Sequence, residues 1–227
     1  SSTRAASVTA DAGSAEAGDD RGPPPAPLVE LGRHSVAVVE TRRVVPSPGL
    51  PEVTKPLNSN NNLDVVRHEG RVYLAWRTAP DHFASADTVM YVASSTDEVQ
   101  WSFEARFTVG SDLREPRFLS LKGTLFLYMA RLGVNALGFE PKEMLVAERR
   151  EDGAWSQPVA FYRPGFIPWR TKTERGTPYM LTYSGGENIY LFNGKPLDIH
   201  FLTTTDGREW AGVDPQSSLV QRGGGSE

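Results

Sequence analysis

Charged side chains cluster directly before a strand-like run in the middle of this 227-residue sequence. Asp112, Arg114, Glu115 and Arg117 precede alternating apolar residues that end at a turn containing Gly123. Charges at the start of a core strand are costly unless they are paired or used. Carboxylates can act as general acids, bases or nucleophiles, and arginines bind carboxylates or phosphates through paired hydrogen bonds. We therefore expect chemistry at this segment.

The segment belongs to the second of three similar units. Three glycines spaced 53 residues apart each follow a charged residue and precede an apolar strand: Gly70, Gly123 and Gly176. Three tryptophans, separated by 54 and 55 residues, close the units: Trp101, Trp155 and Trp210. A period near 50 residues with four short strands per unit is typical of a β-propeller.

The residue pattern predicts an all-β fold. Short runs of Val, Leu, Tyr, Phe and Trp alternate with Gly, Asp and Pro turns, and no long helical period is visible. The blades are predicted at 58–107, 112–161 and 166–220, with the next blade starting at 223–227. Residues 1–34, rich in Ala, Gly, Ser and Pro, are predicted to be a disordered leader or tether, and 35–227 an incomplete propeller.

Three blades cannot close a ring, and open sheet edges are avoided in natural β proteins. We therefore expect that a second chain, or a C-terminal segment beyond this sequence, completes the propeller. Cleavage near Glu227 is one way to produce such a chain, and truncation is the other.

Composition narrows the partners and the compartment. The net charge of −4 and the pI near 5.7 argue against nucleic acid as a partner. The sequence has no cysteine, so disulfides and thiolate metal sites are excluded, and no apolar run is long enough to span a membrane. The leader favours a secreted or surface-tethered protein, extracellular or periplasmic, such as a lipoprotein. The alternative to secretion is a trimmed sequence that simply begins with a disordered leader.

Two of the closing turns carry a family signature. Ser94-Ser-Thr-Asp-Glu-Val-Gln-Trp101 and Thr203-Thr-Thr-Asp-Gly-Arg-Glu-Trp210 resemble the Ser-x-Asp-x-x-x-Trp motif of the five-bladed glycosidases of the invertase, fructosidase and arabinanase group. Arg114-Glu115-Pro116 resembles the Arg-Asp-Pro of the invertase-like enzymes. The turns are also similar to the Asp-boxes of sialidases, which place the Trp one residue later. The resemblance covers 58–220 and implies a β-propeller, with five blades favoured over six, that acts on carbohydrate without a cofactor.

Glycoside hydrolysis uses two carboxylates across the scissile bond. The resemblance implies that Asp64 is the base or nucleophile and that Glu115, where the family has Asp, stabilises the transition state. Glu227 is the candidate acid, although the family places its acid one blade earlier, where this sequence has Trp169 and Arg170. Asp81 or Asp87, in the loop between the second and third strands of the first blade, is the alternative acid. The structural alternatives are that Asp64 caps a strand and that Glu115 only pairs with an arginine.

Further residues are candidates for holding the substrate. By the 53-residue period Asp64, Arg117 and Arg170 are equivalent, and all are charged where a purely structural repeat would be apolar. The candidate substrate contacts are Arg114, Arg117, Arg170, Trp169, Asn62 and His82. Trp169 can stack on a sugar or simply pack. His82 lacks the spacing of a metal site, and no metal is predicted.

These observations predict a secreted glycoside hydrolase-like propeller that acts on a carbohydrate at its central channel. The alternative is a non-catalytic propeller that binds a glycan or a protein at the cell surface.

Overall fold

The computed structural model describes residues 37–185 and 196–223, which form three antiparallel sheets and no helix. The first sheet contains β1 (Ser59–His68), β2 (Arg71–Ala79), β3 (Val89–Ser95) and β4 (Ser102–Phe107). The second contains β5 (Leu113–Leu121), β6 (Thr124–Leu132), β7 (Pro141–Arg149) and β8 (Val159–Ala160). The third contains β9 (Phe166–Glu174), β10 (Thr177–Ser184), β11 (Leu197–Thr203), β12 (Ala211–Gly212) and β13 (Leu219–Gly223).

The chain divides into a unit of residues 1–41 and a unit of residues 42–227, and all three sheets belong to the second. The predicted leader, 1–34, lies outside the described residues. No helix in the described ranges is long and apolar enough to cross a membrane.

Each sheet is a meander in which consecutive strands are neighbours, in the orders β1-β2-β3-β4, β5-β6-β7-β8 and β9-β10-β11-β12. In the third sheet β13 also pairs with β11, and Gly223 lies opposite Leu197. Gly223, predicted to begin a fourth blade, is therefore the last residue of a strand in the third sheet. The predicted start of the next blade at 224–227 lies outside the described residues.

The repeated glycines form the same tight turn in each sheet. Residue pairs with positive φ at both positions join the first two strands: Glu69-Gly70 (46° and 78°), Lys122-Gly123 (50° and 79°) and Arg175-Gly176 (49° and 81°). Two-residue turns with two positive φ angles match the twist of a β-hairpin, and glycine adopts them without strain. The 53-residue period is therefore the spacing of one hairpin in three successive sheets.

Side chains of the second strand of each sheet alternate between its two faces, and those that face a neighbouring sheet pack into the core between the two sheets. On β2, Tyr73 packs against the β6 residues Leu125 and Leu127. The opposite face of β6, through Phe126, packs against Met180 of β10. Successive side chains of a strand point to opposite faces, so each sheet joins the next through a fresh set of apolar residues.

The closing turn of the third sheet contacts the second sheet. Trp210 contacts Tyr128 edge-on, with ring centroids 5.6 Å apart, and the Tyr128 hydroxyl donates to the Gly207 carbonyl at 2.7 Å. Asp206 Oδ1 accepts the backbone N–H groups of Arg208 and Glu209 at 2.8 and 2.9 Å. The turn is thereby fixed where its tryptophan enters the core.

Candidate functional site

The first strand of each sheet is irregular at the same level. The ladder is interrupted at Asn62 in β1, at Glu115 and Pro116 in β5, and at Trp169 in β9. Asn62 and Glu115 have positive φ angles of 43° and 48°, which is unusual for residues other than glycine. Bulges of this kind redirect side chains and concentrate near functional sites.

The bulges bring Glu115 into contact with a residue of the neighbouring sheet. Asn62 Nδ2 donates to Glu115 Oε1 at 2.5 Å, and Arg117 Nη2 donates to Glu115 Oε2 at 2.7 Å. The side chains of Glu115 and Arg117 are only 17% and 16% exposed, so water screens this ion pair weakly. Both carboxylate oxygens of Glu115 are thus held from two directions.

Arg117 continues the connection to the third sheet. Its Nε donates to the Trp169 carbonyl at 2.5 Å, and its guanidinium carbon lies 5.9 Å from the centroid of the Trp169 ring. Its Nη1 donates to the Pro116 carbonyl at 2.7 Å. A planar guanidinium can make these contacts together with the Glu115 pair, whereas a lysine ammonium cannot.

Asp64 lies two residues beyond Asn62 on β1 and faces the same neighbouring strand. Its Oδ2 accepts the backbone N–H of Phe118 at 2.7 Å. Among the described residues no basic group forms an ion pair with it. Burial raises the pKa of Asp64 above its ordinary value, and backbone hydrogen bonds and the charges of Arg117 and Arg170 only partly oppose this effect.

A groove of about 600 Å³ runs between β1, β5 and β9. Asp64, Arg117, Arg170 and Lys172 line it together with hydroxyl and apolar side chains. Arg170 is exposed, and within the described ranges its side chain forms no hydrogen bond or ion pair. The groove therefore combines one carboxylate with several cations.

A buried ion pair lies beside Asn61, next to the bulge of β1. Arg77 Nε donates to Asp112 Oδ1 at 2.9 Å, and both side chains are completely buried. Thr88 Oγ1 donates to the same oxygen at 2.7 Å, and Arg114 Nε donates to Asp112 Oδ2 at 2.5 Å. Asp112 thus joins the first and second sheets.

The same arginines fix the loop between β2 and β3. Arg77 donates to the Phe83 carbonyl at 2.8 Å, and Arg114 donates to the His82 carbonyl at 2.7 Å. Asp81 Oδ1 accepts the Phe83 N–H at 2.8 Å, so this exposed carboxylate stabilises a turn within its own loop. The His82 ring contacts Asn61, with Nδ1 and Nδ2 3.1 Å apart.

The predicted site residues therefore fall into three groups. Asn62, Glu115, Arg117 and Trp169 form one contiguous network. Asp64 and Arg170 line the adjoining groove. Arg114, Asp81 and His82 belong to the loop region, where the Arg114 guanidinium bonds to other parts of the protein.

Glu227, the candidate acid, lies outside the described residues. No group of three or more His, Cys, Asp or Glu side chains in the described part of the chain could hold a metal ion.

The sequence analysis missed the role of Arg77 and Asp112. The available signal was an arginine within the otherwise apolar run of β2, which implies a buried partner. Asp112, the first charge of the central cluster, provides that partner. A buried salt bridge between the first and second sheets thus lies next to the candidate site.

Comparison with known proteins was made by sequence and by structure. No protein-family model matches this sequence, and no curated protein is similar to it in sequence. Among solved structures, a thermostable family-43 glycoside hydrolase aligns with 74% of this chain and 55% of its own, at 16% identity and a TM-score of 0.49. An exo-1,5-α-L-arabinanase from a bovine ruminal metagenomic library aligns with 77% of this chain and 62% of its own, at 9% identity and a TM-score of 0.49.

A mutant Trypanosoma rangeli sialidase that displays trans-sialidase activity aligns with 73% of this chain and 31% of its own, at 10% identity and a TM-score of 0.51. The alignment with the family-43 enzyme spans about half of that protein's length. At these identities the similarity is one of fold. The three successive meander sheets, together with the similarity to the sialidase at a TM-score of 0.51, confirm the all-β propeller fold that the sequence predicted.

Proposed function

We propose that this protein is a glycoside hydrolase-like propeller that acts on a carbohydrate where its innermost strands meet. The observation that carries the proposal is the pair of bulges that places Asn62 of one sheet and Arg117 of the next on the two oxygens of Glu115. A carboxylate held in this way, on the strand next to a second carboxylate with a raised pKa, supports two of the roles that glycoside hydrolysis assigns to carboxylates.

The two carboxylates differ in environment, which suits different roles. Asp64 has a raised pKa and lines the groove, so it is suited to be the base or nucleophile. Glu115 forms an ion pair with Arg117, so its carboxylate is suited to stabilise a positively charged transition state. Glu227 and the loop residues Asp81 and Asp87 remain the candidates for the acid. Arg170 and Trp169 would hold the sugar.

A non-catalytic glycan-binding propeller is the second candidate. Two contacts favour it: Glu115 is paired with Arg117, and Asp64 accepts a backbone N–H. Both contacts give these carboxylates a structural role that does not depend on catalysis. In this alternative Arg170 and Trp169 bind the sugar and nothing is cleaved.

A further sheet, from another segment or chain, completes the ring in this proposal. Tyr73 and Phe126 each pack against the following sheet, and Tyr179 is the equivalent residue of the third sheet. Tyr179 stacks on Phe201, and its neighbour Leu181 is 39% exposed on the same side of β10. Sedimentation of material from the native source tests this: a folded monomer of the mass of this chain would contradict it.

Secretion or surface tethering belongs to the same proposal. The Ala, Gly, Ser and Pro composition of residues 1–34 supports it. Fractionation of the source cells tests this part. Finding the protein inside the cell would contradict it.

The decisive experiment is a panel of aryl glycosides and oligosaccharides assayed with the wild type, Asp64→Asn and Glu115→Gln. Asp152→Asn is the matched control, because it is the same substitution at an exposed turn position. We expect hydrolysis of at least one glycoside by the wild type and the control, and its loss in both site variants. Glycan binding without hydrolysis would favour the binding module instead.

A further inference from the structure

A serine and a histidine meet at the other end of the inner strands, away from Asn62 and Glu115. Ser120 Oγ of β5 and His68 Nδ1 of β1 lie 2.9 Å apart, which is hydrogen-bonding distance. Ser120 is exposed and lines the 600 Å³ groove, whereas His68 is buried behind it. A hydroxyl that faces a cavity and bonds to an imidazole is the arrangement of an activated nucleophile with its base.

The other nitrogen of the imidazole faces a carboxylate. His68 Nε2 lies 3.7 Å from Glu69 Oε2, and the His68 ring packs edge-on against Tyr73, with centroids 5.9 Å apart. Tyr73 restricts the orientation of the ring, and Glu69 stabilises the imidazolium that forms when His68 accepts a proton. The three groups follow the order serine, histidine and carboxylate of serine hydrolases, but with the two imidazole nitrogens exchanged: Nδ1 faces the serine here and Nε2 the carboxylate.

The backbone next to Ser120 offers a donor to a developing oxyanion. Phe118 directs its N–H to Asp64 and its carbonyl to Thr171, so both groups point away from β6. Backbone groups alternate in direction along an antiparallel strand, so those of Ser120, two residues on, point the same way. The Ser120 N–H therefore faces the groove beside its own hydroxyl, where the backbone N–H of the nucleophile contributes to an oxyanion hole in serine hydrolases.

We propose that Ser120 and His68 form a second hydrolytic centre that cleaves short-chain carboxylic esters of polar alcohols, such as acylated sugar hydroxyls. Lys172 and Thr173, which line the same part of the groove, fit a polar alcohol better than a lipid. The volume of the groove is in the range of small-molecule sites.

The reaction proceeds by acyl transfer. His68 Nδ1 removes the proton from Ser120 Oγ while the oxygen bonds to the ester carbonyl carbon and the carbonyl electron pair moves onto its oxygen. Collapse of this intermediate breaks the bond to the alcohol, which leaves with the proton carried by His68. Water, deprotonated in turn by His68, then bonds to the acyl carbon; the bond from that carbon to Ser120 Oγ breaks, Oγ takes the proton back from His68, and the acid leaves.

The protonation state of His68 agrees with this role. Burial lowers the pKa of His68 below its ordinary value, and the charge of Arg149 acts in the same direction against the opposing charge of Glu69. The imidazole is therefore neutral at neutral pH and able to accept a proton. Tyr73, from β2, and Ser120, from β5, are the other polar groups that face it.

An alkyl fluorophosphonate, with peptide mapping by mass spectrometry, tests the proposal on the whole chain. We expect a covalent adduct on Ser120, and hydrolysis of p-nitrophenyl acetate that Ser120→Ala abolishes. Ser102→Ala, the same substitution at an exposed serine of β4, should leave both readouts unchanged. His68→Gln should slow labelling by about 100-fold, the usual contribution of a general base.

The pH profile separates catalysis from a structural hydrogen bond. Labelling of the wild type should decline only below pH about 6.5, as His68 becomes protonated. Thermal melting of each variant shows that the fold is intact. The proposal is overturned if folded wild-type protein carries no adduct on Ser120, or if folded His68→Gln is labelled at the wild-type rate. The contact between Ser120 and His68 would then be only a bond between two sheets.

Discussion

Asp64 of β1 accepts the backbone N–H of Phe118, on the innermost strand of the next sheet, at 2.7 Å. Thr171 of β9 donates to the carbonyl of the same Phe118 at 2.6 Å. The free edge of β5 is thus bonded from both neighbouring sheets. The Asp64 carboxylate satisfies a backbone N–H at a strand edge, in an environment that disfavours its charged form. This combination should affect how the stability of the fold depends on pH.

Asp64→Asn should melt at or above the wild-type temperature at pH 7. The raised pKa means that Asp64 holds its proton more tightly in the folded protein than in the unfolded chain. Its stabilising effect is therefore complete below the ordinary pKa of Asp and is lost as the pH rises through the folded-state pKa. Asparagine imitates the protonated acid at every pH and can still accept the Phe118 N–H.

Melting temperatures of wild type and Asp64→Asn, measured from pH 3 to 8, check this expectation. The difference should appear as the pH rises and vanish near pH 3. Asp87→Asn, at an exposed loop position, controls for the substitution itself. A variant that melts well below wild type at pH 7 would show that the charged carboxylate stabilises the fold, as an ordinary strand cap would.

Asp112→Asn should destabilise the protein by about 3 kcal/mol, because it leaves Arg77 charged and buried without its counter-ion. Urea denaturation followed by tryptophan fluorescence gives the free energy of unfolding. Asp152→Asn removes one partner of an exposed contact, 3.8 Å from Arg150, and should change stability by less than about 0.5 kcal/mol. Equal effects of the two substitutions would contradict the role given to the buried pair.

Two glycines with nearly the same φ should respond differently to alanine. Gly123 has a φ of 79° and open space around it, so Gly123→Ala should cost about 1 kcal/mol for the left-handed backbone alone. At Gly207, with a φ of 78°, a Cβ would lie 2.5 Å from Phe126 Cε2. Gly207→Ala should therefore cost about 1–3 kcal/mol more, because the next sheet must also move.

Gly223→Ala is the control for the glycine pair, because Gly223 has neither a positive φ nor a close neighbour. Chemical denaturation of the three variants gives the comparison. If Gly123→Ala and Gly207→Ala lower the free energy of unfolding equally, the closing turn is not packed closely against Phe126 of the second sheet.

The closing turns should make the stability of the fold depend on pH in the acidic range. Backbone N–H groups of Glu209 and Arg208 hold the pKa of Asp206 below its ordinary value of 3.8. The stabilisation is therefore fully present above that value and is lost as the pH falls through the lower folded-state pKa. Asp206→Asn should melt below wild type by a constant margin from pH 7 to 5, and the margin should shrink below pH 3.8.

Asp97 occupies the matching turn of the first sheet, where the backbone of Gln100 and Val99 lowers its pKa. Asp97→Asn should show the same dependence in a thermal melting series across pH. A margin that grows on acidification in either variant would contradict this explanation of the turns.

The repeat and its hairpins were predictable from the sequence, because glycine spacing and alternating apolar residues report directly on turns and strands. Gly70 and Gly123 mark turns with positive φ that other residues adopt only with strain. The motif before Trp210 likewise reported a turn fixed by its aspartate. Such features depend on neighbours in sequence, which a single chain displays.

The contacts of the site were not predictable in the same way. The bulge that turns Glu115 toward Asn62 depends on how β5 pairs with β6, and the bond joins residues 53 positions apart. The Arg77–Asp112 pair and the Ser120–His68 contact also cross from one sheet to another. Sequence alone gives the residue types at these positions, whereas the packing of the sheets decides which of them meet.

The rate of glycoside hydrolysis by Glu115→Gln tests the central claim most directly. Glutamine keeps the size of the side chain and an acceptor for Asn62 but removes the charge that faces Arg117 and the substrate. On the best substrate of the panel, we expect kcat/KM to fall by about 100-fold or more, while a cooperative thermal transition shows that the variant is folded at the assay temperature. A folded Glu115→Gln protein with kcat/KM within about twofold of wild type would contradict the role of Glu115 in catalysis.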